Sequence, residues 1–183
     1  MLEKYYFILP GRKKGSFLMF EKGYVFIYGA SGVCRVEDIK ICDYGAGKKE
    51  YYILQPVFDL RSSLSVPVDS PVFSSRAREL LSEKEVLEII DSLPDSGSEW
   101  IRDEKERLEA FKSLSDSGIC KNTAILVRSL YLHKKDLLSK GKKLRSNEET
   151  LLQRAEKLLF GEFAWVLGIN PNEVADFIKS RIN

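Results

Sequence analysis

The hydrophobic period of this chain changes once, and that change constrains the fold more than any other feature. From 20 to about 73 the apolar residues are aromatic and β-branched and come in short runs broken by glycine and proline. From Ser82 onward they recur at helical spacing, as in Val86, Leu87, Ile89, Ile90 and Leu93. A chain of 183 residues divided this way fits two small domains, one all-β and one all-α.

In the first part, 24–28 reads as a strand followed by the turn Gly29-Ala30-Ser31-Gly32. A second strand follows over 33–44. The run 45–49 is a hairpin loop, 51–54 pairs back, and 64–68 adds another short strand. Pro67 and Pro71 close the region, because proline cannot donate to a ladder. Strands this short, curled by glycines, predict a small SH3- or Tudor-like barrel over 19–75. Ahead of it, 1–18 forms an extension with a possible strand at 5–9 and a basic turn at 10–15.

The second part, 76–183, predicts a bundle of four or so helices, giving an α+β two-domain protein overall. Ser82-Glu83-Lys84-Glu85 is a capping box that opens the first helix. A second is expected over 99–114 with Ser98 as N-cap and Trp100 in its first turn. A third spans 122–138. Ser146-Asn147-Glu148-Glu149 opens the longest, which Gly168 ends. In this reading Glu149 caps and Glu148 faces solvent. Asn170-Pro171-Asn172-Glu173 starts a last short helix.

Composition excludes several chemistries. His133 is the only histidine, which rules out two-histidine metal sites and argues against a histidine-based triad. No phosphate-binding glycine motif occurs. Cys34, Cys42 and Cys120 are an odd set without close pairing, which fits a reduced cytoplasm. No apolar run approaches the ~18 residues of a membrane span. No catalytic residue, metal, cofactor, membrane or small-molecule substrate is expected.

The net charge of +2 is unevenly spread. Residues 128–145 hold seven cations, Arg128, Lys134, Lys135, Lys140, Lys142, Lys143 and Arg145, against Asp136 alone. Two readings fit this run: a solvated helix end suited to the macrodipole, or a patch that contacts phosphates without reading sequence. Two readings also fit Trp100, which falls near the face of Phe111. It is either a core aromatic or a ring that projects to stack on a base or wedge into a groove.

Taken in order, these landmarks resemble the CarD family of bacterial RNA-polymerase-binding transcription regulators. The resemblance rests on the run 20–28 followed by Gly29-Ala30-Ser31-Gly32-Val33, the strand 50–54, and Val66-Pro67. It continues through Trp100 at the head of a charged helix, Leu126-Val127-Arg128-Ser129-Leu130, and Gly161-Glu162-Phe163-Ala164. It covers roughly 20–168. The likeness implies a Tudor-like domain, shared with transcription–repair coupling factors, that docks on the polymerase β subunit. It also implies a helical domain that contacts promoter DNA, weakly and largely without sequence preference, at the upstream edge of the bubble and modulates open-complex stability. By resemblance, Trp100 is the wedge and Lys105 a DNA-facing cation. Arg102, His133, Lys134 and Lys135 complete the expected DNA set. Where relatives can place arginines on the polymerase-facing strands, this chain has Cys42 and Ser65, with Lys40 nearby. The alternative is a protein–protein adaptor that never touches DNA.

Overall fold

The computed structural model describes residues 12–14, 17–45, 47–96 and 100–182. The possible strand at 5–9 and the expected cap Ser98 lie outside them. The chain divides into two compact units, Met1–Leu80 and Leu81–Asn183.

The first unit is built on an antiparallel sheet of five strands. These are β3 (Val25–Tyr28), β4 (Val33–Asp43), β5 (Lys48–Pro56), β6 (Leu64–Pro67) and β7 (Ala77–Arg78), in the order β6-β5-β4-β3-β7. A separate pair, β1 (Arg12–Lys14) and β2 (Phe17–Met19), precedes it, so 12–14 is a strand and not part of the expected basic turn, and the pair runs one residue past the expected extension. The turn between β3 and β4 is a single 3-10 turn at Gly29–Ser31, where Gly29 and Gly32 adopt positive φ that a side chain would resist.

The expected closed barrel is not what forms. The edge strands β6 and β7 do not pair with each other, so the sheet stays open. The reason lies in 71–76, a short helix α1 (Pro71–Arg76) with Pro71 in its first turn, where the sequence suggested only an end to the strands. Its Phe73 is fully buried, with ring centroids 4.9 Å from Tyr52, 5.7 Å from Phe20 and Tyr28, and 5.9 Å from Phe26. One aromatic on a helical turn thus covers the apolar face that closure would otherwise bury. Cys34, Val36, Leu54 and Val66 complete this core. The Tyr52 hydroxyl accepts a hydrogen bond from the Phe20 N–H at 3.0 Å. Removing that acceptor leaves a buried donor unpaired. Tyr52→Phe is therefore expected to cost about 1–2 kcal/mol, measurable by denaturant unfolding.

The second unit holds α2 (Glu83–Ser92), α3 (Glu104–Asp116), α4 (Cys120–Ser139), α5 (Ser146–Leu167) and α6 (Val174–Ile182). The capping box at Ser82 and Glu85 forms as read, and so does the one at Asn170 and Glu173, which opens a 3-10 turn leading into α6. Gly168 ends α5 in the left-handed conformation. α5 is the central element. Its buried stripe of Leu152, Ala155, Leu159, Phe163 and Val166 follows the helical period and packs against α2, α4 and α6. Arg181 grips Asp91 with two bonds, of 2.6 and 2.7 Å, and ties α6 to α2.

Two local expectations are corrected. α3 begins at Glu104, with Asp103 as N-cap accepting from the Glu106 N–H at 2.9 Å. Trp100 therefore precedes the helix instead of standing in its first turn. The roles of Glu148 and Glu149 are also reversed. Glu148 is only 2% exposed and accepts from the N-cap N–H of Arg145, whereas Glu149 is the more exposed of the two and pairs with Lys134. The apolar stripe explains this, because Glu148 lies four residues before Leu152 on the buried face.

Candidate functional site

Trp100 is half-buried, and its surroundings are specific. The His133 imidazole stacks on the indole, with ring centroids 3.6 Å apart and planes 18° from parallel. Phe111 of α3 meets the ring edge-on at 5.9 Å, and the Arg107 guanidinium lies 4.7 Å from its centroid.

Arg107 holds this arrangement together. It is 5% exposed and donates through Nε and Nη2 to Glu148 Oε1, at 3.1 and 2.9 Å. Its Nη1 donates to the carbonyls of Ile101 and Arg102 at 2.9 and 3.2 Å. One side chain of α3 therefore grips α5 and pins the backbone that carries Trp100. The apolar pattern signals that each of these residues lies on a buried face, though not that the two pair. Glu148 falls on the α5 stripe, and Arg107 stands one turn before the buried Phe111.

The other expected DNA residues scatter. Arg102 and Lys105 are exposed, but Lys105 lies about 200° around α3 from Arg107, away from the Trp100 clamp. Lys134 bonds Glu149 at 2.8 Å, and this bond holds the Glu149 carboxyl below its ordinary range. Lys135 lies about 200° around α4 from His133, so it cannot share the Trp100 face. Burial holds the His133 imidazole below its ordinary range, with Arg107 and Lys140 acting in the same direction and Glu148 and Asp136 opposing them.

Much of the basic run 128–145 is already engaged. Arg128 donates to the carbonyls of Ser96 and Pro94 beyond α2, at 3.1 and 3.2 Å. Lys140 bonds Asp136 at 2.8 Å, and Arg145 pairs with Glu104. Among the described residues, Lys135, Lys142 and Lys143 form no ion pair.

On the sheet, Lys40 and Cys42 sit on β4 and Ser65 on β6. The register puts all three on the face opposite the core, since Lys40 pairs with Tyr51 and Ser65 with Ile53, one step out of phase with buried Tyr52. Lys40 also approaches Asp38 at 3.4 Å, and Ser65 accepts from the Tyr44 hydroxyl at 3.5 Å.

The outer side of β4 is left without a described partner over most of its length. β3 covers only the start of that strand, ending where Val36 and Tyr24 bond at 2.9 Å. Beyond it, no described strand pairs with the outer side of β4. The Val68 N–H bonds the Glu50 carbonyl, so Glu50 turns its backbone toward β6 and Tyr51 turns toward β4. Lys40 therefore faces β5, while Ile39 and Ile41 direct their backbone groups outward. The Ile39 N–H is bonded by its neighbour's carboxylate, Asp38 Oδ1, at 3.0 Å. Among the described residues no side chain guards the Ile41 N–H in this way, and Ile41 is 70% exposed.

No group of three residues suited to hold a metal occurs among the described residues. No described helix is long and apolar enough to cross a membrane. A shallow hollow along Asp103, Lys105, Leu108 and Lys112 is lined by one stretch of α3 and its cap, a surface and not a cleft.

An open sheet followed by a helical unit agrees with comparison to known families. Residues 20–71 match the CarD-like/TRCF RID domain, and residues 85–179 match the CarD C-terminal domain. Together these two modules define a transcription-related protein that interacts with RNA polymerase. The chain belongs to the CarD family. A comparison with curated proteins finds no match to the chain.

Proposed function

We propose that this protein anchors on the RNA polymerase β subunit through its sheet and uses Trp100 to alter the stability of the open promoter complex. It works in the cytoplasm and without catalysis. The observation that carries the DNA half is the bracing of Trp100. A half-buried indole is clamped by His133, Phe111 and Arg107 at the entrance to α3, with Arg102 exposed two residues on and Lys105 exposed in the first turn of the helix. Such a ring is ordered before it meets a partner, so little conformational entropy is lost on insertion.

The polymerase half is supported by the open edge of β4. An incoming strand would add to Ile39–Cys42, and backbone hydrogen bonds would supply affinity. Lys40 and Cys42 would flank the contact on the outer face. Once the sheet is anchored, the helical unit meets DNA at high local concentration, so few free cations suffice. Insertion of Trp100 at the duplex–bubble junction would replace lost base stacking, worth about 1–3 kcal/mol per base. Binding the open form better than the closed one shifts their ratio by about 5- to 150-fold over that range.

The adaptor reading draws on the same clamp, because those contacts also suit a purely structural tryptophan. Trp100→Ala separates the two. The variant is expected to remain folded and bound to polymerase, while the protein's effect on open-complex lifetime disappears. Unfolding of the helical unit, measured by circular dichroism, would assign Trp100 to structure and remove the DNA reading.

A further inference from the structure

By resemblance His133 is one of the residues expected to face DNA. Its ring is stacked on Trp100, and an imidazole committed to an indole face at 3.6 Å is poorly placed to reach a phosphate. We propose that His133 is the positioning residue for Trp100: its imidazole covers one face of the indole and leaves only the free edge and remaining surface for DNA.

This inference rests on the DNA reading of Trp100 and deepens it. Trp100 lies outside the helix, so no helical hydrogen bond fixes its backbone. Arg107 holds the following backbone through the Ile101 and Arg102 carbonyls, and the closest contact to the indole itself is His133. α4 is continuous through this point and supplies a rigid platform. The covered face cannot stack on a base unless His133 withdraws. With the Arg107 guanidinium also over the ring at 4.7 Å, the free edge is what remains for DNA.

The charged groups around the imidazole come from three elements. Arg107 on α3 is pinned by Glu148 on α5, and Asp136 and Lys140 on α4 pair with each other. Burial and the nearby cations favour the neutral ring, so the stack is neutral near pH 7. The sign follows from linkage. A histidine whose folded pKa lies below its unfolded value of about 6.5 contributes full stability above that pH. The contribution is lost as pH falls through the folded pKa.

The test uses the full chain with polymerase and promoter DNA. His133→Ala should reduce the protein's effect on open-complex lifetime by about two- to tenfold with polymerase binding unchanged. His133→Phe, which can stack but cannot carry charge, should restore it. In the free wild-type chain, the resonances of this only histidine should be shifted upfield by the indole ring current and titrate with a midpoint below 6.5. Trp100→Ala should abolish that upfield shift. If His133→Phe is as damaging as His133→Ala and lowers the salt dependence of DNA binding, His133 contacts phosphate and the proposal is overturned. Absence of the upfield shift overturns it without any variant. If Trp100→Ala leaves open-complex lifetime unchanged, the DNA reading falls and takes this inference with it, while the resonance still reports whether the stack exists.

Discussion

Arg107→Ala is expected to destabilise the helical unit by about 3–5 kcal/mol, because it leaves Glu148 charged, buried and without its partner. The guanidinium and carboxylate are 5% and 2% exposed, so solvent cannot replace the lost bonds. The loss extends beyond the pair, since the same side chain also satisfies the carbonyls of Ile101 and Arg102. For a unit of roughly 100 residues, each kcal/mol shifts the melting temperature by about 4–8 °C, so thermal unfolding should fall by more than 10 °C. Glu148→Ala should cost a similar amount by stranding Arg107. The double replacement Arg107→Met with Glu148→Leu should cost less than either single alanine, because it removes both charges and refills the space. If the single variants each cost less than about 1 kcal/mol, the pair is not buried as described, and the clamp on Trp100 loses its anchor.

The same pair shows where sequence reading reached its limit. Apolar period and capping chemistry located the helices, because each residue's preference there agrees with its tertiary role. Ser82, Asn170 and Gly168 each act at the position their chemistry suggests. Glu148 and Arg107 follow a different logic. Charged residues are read as surface by default, and only a partner distant in sequence makes burial tolerable. Nothing local in 146–149 announces Arg107, forty-one residues earlier. The same non-locality concealed the stack of His133 on Trp100. Those two residues are joined by the packing of α4 beside α3, which a linear pattern does not display.

In the sheet, the strands were legible and their closure was not. Alternation identifies which residues face a core, but it does not say what covers that face. Here Phe73 does so from a helix of six residues, too short for a periodic signal. The outcome has a functional side. A closed barrel has no free edges, whereas the outer side of β4 has no partner among the described strands beyond β3. Exposed apolar edges invite pairing, and natural proteins usually blunt them with charge, proline or a bulge. β6 is blunted in this way. Pro67 lies in its ladder opposite Tyr51 and turns its missing N–H outward, leaving Ser65 as the outward donor of that strand. β4 has Asp38 guarding Ile39, yet Ile41 stays open.

Ile41→Pro is therefore expected to cut polymerase binding by about 30- to 150-fold while the sheet stays folded. The Ile41 N–H points away from β5, so proline removes no ladder bond within the sheet. It does remove the donor an incoming strand would use, and its ring obstructs close approach from that side. Losing one intermolecular bond and part of its neighbours' geometry corresponds to about 2–3 kcal/mol. Ile41→Ala keeps the backbone donor and should weaken binding far less, which separates edge pairing from simple apolar contact. Ser65→Pro tests the opposite edge, where the family likeness also places a polymerase-facing residue, and should weaken binding far less than Ile41→Pro. Retention of the β subunit on immobilised protein, beside an unfolding curve for each variant, reads all three. Loss with Ser65→Pro but not with Ile41→Pro would move the docking edge to β6. Equal loss with Ile41→Ala and Ile41→Pro would mean that the isoleucine side chain, and not strand addition, makes the contact.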